Sequence, residues 1–250
     1  MAYARPNLSF AGRRILPALA EIGIVVVGYE TYANLRVMVA GDEATAMRNG
    51  LAVLRVEQWL DLGFERPLQQ AALLLPWLVQ ALNLLYVGLH RPFLGAAAVF
   101  LYFRNRPVYV RARRTFFIAC AIGLFIFWAM PVAPPRLLPD AGFVDTIHTY
   151  LPEMGYDPGG KANEFAAIPS FHFGWNLLVV WCLWQTIERR SVRTVLALLP
   201  PLMLAVILVT ANHFWLDAAI GALVIVLAYQ LAALPEAIQE RRMLAPGRRR

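Results

Sequence analysis

The sequence predicts an all-α fold, a polytopic bundle of six or seven transmembrane helices with an interfacial amphipathic helix. Three observations carry this expectation. Of the 250 residues 59% are hydrophobic and 16% are charged, whereas a soluble domain carries roughly a quarter charged residues. The mean hydropathy is +0.54. The apolar residues also fall in runs approaching the roughly 20 residues that a crossing helix needs, and short arginine clusters punctuate the runs.

The net charge of +7 is carried almost wholly by arginine, with Lys161 the one lysine. Clusters between apolar runs fit membrane topology and not the basic face of a nucleic-acid-binding domain, so no nucleic-acid partner is expected. Cys120 and Cys182 each lie inside an apolar run without metal-ligand spacing and read as small core residues. Arg5, Arg13 and Arg14 precede the first run as in a signal peptide. That run is long, carries Glu21 and Glu30 and has no clear cleavage site, so an uncleaved span is expected.

Residues 15–39 form the first span, and Glu21 and Glu30 should point into the bundle. Residues 48–62 put Leu51, Leu54, Val56, Trp59 and Leu60 on one side and Arg55, Glu57 and Asp61 elsewhere, the pattern of a helix lying at the interface. A second span covers 67–89. Residues 93–103 are apolar but short, and whether they cross or dip decides between six and seven spans. Spans at 115–133, 168–186, 194–211 and 214–234 follow. No internal repeat divides the chain, so residues 1–250 read as one membrane domain with a catalytic core at about 85–234. Arginines at 104–114, 189–193 and 241–250 fall on one side of the last four spans, which the positive-inside rule makes cytoplasmic. The polar loop 134–167, the start of the 168–186 span and the hinge at Asn212 then share the opposite face.

That face carries the chemistry. His213 and Asp217 are four residues apart, one helical turn, and such a pair in a membrane segment suggests function. Asp217 can fix the imidazole tautomer and stabilise the imidazolium. Pro169 suits the first turn of a helix, whose free N–H groups with Ser170 and His172 would form an anion site. Arg136, stiffened by Pro134 and Pro135, is the preferred phosphate ligand and Lys161 a weaker candidate. Two histidines with such a site suit phosphoryl transfer without a metal.

His90, Arg91, Asn212 and Asp145 could line the site. His148 reads as a solvated loop residue, and Trp175, Trp181 and Trp184 as packing or interface residues. Gly159-Gly160-Lys161 lacks the Ser/Thr and the preceding strand of a phosphate loop. The spacing of Asp140, Asp145 and Asp157 matches no metal-ligand motif, so neither metal nor cofactor is expected.

PSFH (169–172) and NHFWLD (212–217), with APPR (133–136) and GFVDT (142–146) before them, resemble the type 2 phosphatidic acid phosphatase superfamily. The likeness covers about residues 85–230 and is greatest to the branch containing the fungal inositol phosphorylceramide synthase. It implies a nucleophilic His213 supported by Asp217, and His172 as the group protonating the leaving oxygen. Three departures stand out. Phe171 replaces the glycine of the middle motif, and Ile207 stands where an arginine six residues before the histidine is usual. The first motif, a lysine followed seven residues later by Arg-Pro, has no clear counterpart.

The expected activity is that of a membrane phosphatase or phosphotransferase. Its substrate would be a membrane phospholipid or polyprenyl phosphate, with water or a lipid or polyol hydroxyl as acceptor. The expected location is a bacterial plasma membrane, with the site on its extracytoplasmic side. The alternative is a non-enzymatic transporter or scaffold, which would make use of Glu21 and Glu30.

Overall fold

Apolar runs in a bilayer satisfy their backbone only as helices, and the computed structural model is helical throughout its long segments. It describes residues 12–138, 140–153 and 162–244. In order these form α1 (Gly12–Met38), α2 (Glu43–Trp59), α3 (Glu65–Leu73), α4 (Pro76–Leu84), α5 (His90–Arg104), α6 (Arg106–Ala129), the short α7 (Thr146–Tyr150), α8 (Phe171–Thr186), α9 (Arg190–Val209) and α10 (Trp215–Leu244). One π turn, Leu85–Leu89, joins α4 to α5, so Pro76–Arg104 is a single 29-residue rod.

That rod decides the place of the short apolar run. Residues 93–103 belong to the second span and do not cross separately, and residues 65–73 form α3 outside it. Among the described residues five helices are long and apolar enough to cross a bilayer. α8, of 16 residues, is shorter than these five and lies among them. At one end its Ser170 N–H donates to the Asp217 carbonyl. At the other Thr186 Oγ1 accepts from Asn105 Nδ2, in the α5–α6 turn. The arginine block is placed differently from expectation, since Arg106, Arg111, Arg113 and Arg114 lie in the first turns of α6 and not in a loop before it.

α6, α8 and α10 pack together at the centre, with α5 against α6 and α8. Their core includes Phe127, Cys120, Cys182, Leu183 and Ala228. α9 packs on α8, α3 and α4, and α1 lies on α6. Glu21 of α1 pairs with Arg106 at 2.6 Å and with Arg113, and accepts from the Tyr109 hydroxyl. This bears out its inward orientation. Glu30, by contrast, lies on the exposed side of α1, so the two carboxylates do not form the shared buried site a carrier would use. Most of α1 presents apolar side chains such as Ile22, Val26 and Val27 outward, as a lipid-facing helix does.

α2 and α3 cover the end of the bundle opposite the α5–α6 turn. α2 is amphipathic, but the face it packs inward is Ala46, Gly50 and Glu57, while Val56, Trp59 and Leu60 stay exposed. Its fully buried positions are thus small or acidic, and Leu51 and Leu54 pack beside them, partly buried. Gln69 of α3 donates to the Val144 and Val209 carbonyls, both at 2.9 Å. Asn83 donates to the Thr146 carbonyl and accepts the Thr146 hydroxyl. Buried amides thus anchor the loop that carries Arg136, because unpaired polar groups would be costly there.

Two glycines permit the closest approaches. Gly221 of α10 sits against the start of α8, where an added Cβ would come within 2.4 Å of the Ser170 carbonyl oxygen. Gly123 of α6 lies under the Phe171 ring, where a Cβ would meet ring carbons at 2.4 Å. The ring also stacks on Trp175 at 4.5 Å. Gly123 thus makes the room that Phe171 takes up. We predict that Gly221→Ala displaces the α8 start and destabilises the protein by about 1–3 kcal/mol, the usual cost of overpacking. Thermal unfolding in detergent checks this, and an unchanged midpoint would contradict the close approach.

Candidate active site

The end of α9 and the start of α10 put His213 in place. The last turn of α9 closes with the Ala211 N–H on the Leu208 carbonyl and the Asn212 N–H on the Ile207 carbonyl, a Schellman closure. Ala211 takes the left-handed position at φ 53° that glycine usually fills. The turn brings Asn212 and His213 to a cavity of about 120 Å³ whose lining also includes His172, Tyr86, Arg36, Arg91 and Arg136.

His213 Nδ1 lies 2.9 Å from the Ala167 carbonyl oxygen and 3.3 Å from Asp217 Oδ2. Both neighbours are acceptors, so Nδ1 carries the hydrogen and Nε2 is left as the bare lone pair. The shorter bond goes to the backbone carbonyl, which fixes the ring together with Asp217. Asp217 Oδ2 also accepts the Phe214 N–H at 2.9 Å. His172, in the first turn of α8, stacks on Tyr86 with ring centroids 3.9 Å apart. Its centroid is 6.0 Å from that of His213. Tyr86 reaches it from the π turn, and such bulges recur at functional sites.

Arg136 is buried and held on three sides. Nε donates to Asn212 Oδ1, Nη1 to Asp145 and Nη2 to Glu164, each at 3.1 Å. Asn212 and Asp145 therefore orient this arginine, and the Glu164 side chain is about half exposed. Ser170 precedes α8 as its N-cap, with a buried hydroxyl that no described residue engages. Pro169 lies before the helix and not in its first turn. Lys161 and Asp157 fall outside the described residues, and His148 is exposed on α7. His90 is buried behind His172, with ring centroids 4.8 Å apart, and is not among the residues lining this cavity. Among the described residues no group of three His, Cys, Asp or Glu is arranged to hold a metal ion.

The position of Ile207 explains the missing arginine. Its side chain is wholly buried among Val79, Leu82, Val206 and Ala218, in a separate apolar cluster. Positive charge reaches the cavity instead from Arg36 at the end of α1 and Arg91 in the first turn of α5. Arg36 was not visible in the sequence as a site residue, because it ends a span far from every motif.

Glu57 and Glu65 were also missed. Glu65 Oε1 accepts the Trp215 N–H at 3.1 Å and Glu57 Oε1 the Leu216 N–H at 2.7 Å. With Asp217 on Phe214, three carboxylates from α2, α3 and α10 cap the start of α10, whose first N–H groups have no helical partner. Burial pushes the Glu57 carboxyl up to about 9, aided by the adjacent Glu65 carboxylate and opposed by the Leu216 N–H. Glu57 Oε2 has no hydrogen-bond partner among the described residues.

Helix order, the cavity at one end of the bundle and its lining of histidines and arginines define a polytopic helical membrane protein. A family model described as the PAP2 superfamily matches residues 51–231, and the chain belongs to this superfamily. Membership supports a phosphatase-type activity on lipid phosphates. No curated protein and no solved structure matches the chain significantly.

Because the folded Glu57 pKa lies above its unfolded value, Glu57 contributes most to stability at low pH. That contribution fades as pH rises through about 9. We predict that Glu57→Gln, which mimics the protonated acid, flattens this decline, and that Glu57→Leu destabilises at every pH by about 1–3 kcal/mol through the orphaned Leu216 N–H. Unfolding midpoints between pH 5 and 9 check both variants. An identical pH slope in Glu57→Gln and the parent would refute the raised Glu57 pKa.

Proposed function

We propose that the protein is a metal-independent phosphatase or phosphotransferase acting on a lipid-linked phosphate. The observation that carries this reading is the pairing of His213 and His172 across one arginine-lined cavity. His213 presents Nε2 to it, because Ala167 and Asp217 occupy the Nδ1 side. Nε2 attacks phosphorus and forms a phosphohistidine as the bond from phosphorus to the lipid oxygen breaks. His172, protonated, gives its proton to that oxygen. It then takes a proton from water or a hydroxyl acceptor, which attacks phosphorus and restores His213.

Arg136, Arg91 and Arg36 neutralise the phosphoryl oxygens and Ser170 donates its hydroxyl. Phosphate entry displaces the half-exposed Glu164 from Arg136. Lys161 remains a further candidate ligand from the loop. The APPR and GFVDT segments support the inositol phosphorylceramide synthase-like branch, and so transfer of a phosphodiester-linked group to a hydroxyl. In our reading the arginine-rich end is cytoplasmic. The cavity then opens on the extracytoplasmic side of a bacterial plasma membrane.

Labelled phospholipids and polyprenyl phosphates, supplied with and without acceptor alcohols, test substrate and reaction together. His213→Ala should abolish phosphate release and transfer, and His172→Ala should lower turnover by about 10²–10⁴-fold. Full activity in either variant would sink the mechanism. Arg36→Gln should raise KM about tenfold, the loss expected for one charge-assisted contact. An unaltered KM would remove Arg36 from the phosphate site.

A further inference from the structure

We propose that the groove between the α4–α5 rod, α8 and α9 is a second binding site, for a lipid alcohol, beside His172. His90 is 5% exposed and Asn176 3% exposed. Neither ring nitrogen of His90, nor Asn176 Oδ1, has a hydrogen-bond partner among the described residues. Both residues line a cavity of about 180 Å³ whose other walls are apolar, Leu85, Leu199, Leu202 and Val206 among them. Polar atoms buried in such surroundings are normally satisfied, so the groove calls for an occupant with hydrogen-bonding capacity.

The chemistry of the two side chains defines the occupant. A neutral imidazole offers one donor and one acceptor, and the Asn176 oxygen only accepts. Together they suit a group that both donates and accepts, which is a hydroxyl. A phosphate has no proton to offer Asn176 when fully ionised, and no arginine or lysine lines this groove. Apolar walls favour a hydrocarbon chain over a cluster of water, which needs several polar partners. Leu89 and Leu202 are also exposed at its edge, so a chain can continue into the bilayer.

The location gives the site its use. Asn176 lies one helical turn beyond His172 on α8. The His90 ring is in contact with that of His172, at 4.8 Å, and has no such ring contact with His213. A hydroxyl held by His90 and Asn176 would lie beside the residues that adjoin His172, the group that in our reading gives a proton to the departing alcohol or takes one from the arriving alcohol. This use rests on the proposed role of His172, whereas occupancy of the groove does not.

Photolabelling of the purified full chain tests occupancy without turnover. The probe is a C16 alcohol bearing a mid-chain diazirine, and the control is the C16 hydrocarbon with the same diazirine. The alcohol should label peptides covering 85–93 and 199–206 about tenfold more than the hydrocarbon, as expected from one or two hydrogen bonds. Excess unlabelled alcohol should compete. His90→Phe with Asn176→Leu should bring labelling down to the hydrocarbon level, and Asn176→Leu alone should give a partial loss should the double variant fail to fold. His213→Ala should label like the parent protein, which separates this site from the failure of the proposed reaction.

In turnover, an acceptor site predicts a raised KM for the alcohol in transfer when Asn176 is replaced by leucine. A leaving-group site predicts weaker inhibition of hydrolysis by the same alcohol. Either supports the site. Equal labelling by alcohol and hydrocarbon would overturn it, leaving a groove that holds only water or acyl chains.

Discussion

The capped start of α10 is the constraint on which the rest of this structure depends. Three successive N–H groups, of Phe214, Trp215 and Leu216, donate to carboxylates of Asp217, Glu65 and Glu57. The carbonyl of Asp217 in turn accepts the Ser170 N–H. One helical turn therefore fixes His213 immediately before it and suspends the start of α8, with His172, from its backbone. The separation of the two histidines is a property of this junction more than of any contact between their rings. Gly221 allows the two backbones to meet.

The remainder of the cavity shows charge supplied from unexpected places. An arginine at position 207 would have to leave an apolar cluster in which Ile207 is fully buried. The backbone of Ile207 has its own task, since its carbonyl accepts the Asn212 N–H and closes α9. Arg36, Arg91 and Arg136 converge instead from α1, α5 and the loop. Arg36 also lies outside the matched family segment, 51–231. A helix that packs only lightly on the bundle thus contributes a charge to its central cavity. Phe171 reflects a similar exchange, because Gly123 on the neighbouring helix gives up the space its ring fills.

Buried polar groups in this protein divide by what they hold. Gln69, Asn83 and Glu21 are satisfied within the protein and pin α3, the loop and α1. His90, Asn176 and Ser170 retain atoms that no described protein group engages, and all three lie within a turn of His172 or beside its ring. Unpartnered polar atoms thus recur around His172, and others lie elsewhere, in Glu57, Arg106 and Arg111 among the described residues.

The sequence by itself determined the helical class, most of the spans, the common face of His172 and His213, and the closeness of Asp217 to His213. Each follows from a local rule, since apolar run length sets a span and a four-residue step sets a helical face. Tertiary structure decided what those rules cannot see. Residues 93–103 read as an ambiguous short run until the π turn joined them to the preceding span. Glu57 read as a polar residue of an interfacial helix and Glu65 belonged to no motif, and only packing α2 and α3 over α10 turned them into its cap. Arg36 gained a role because the end of α1 reaches a cavity formed by residues up to 177 positions away. The His213–Asp217 pair was legible. That its shortest bond runs to the Ala167 carbonyl was not, because the contact joins segments 46 residues apart, a distance that only the folded bundle closes.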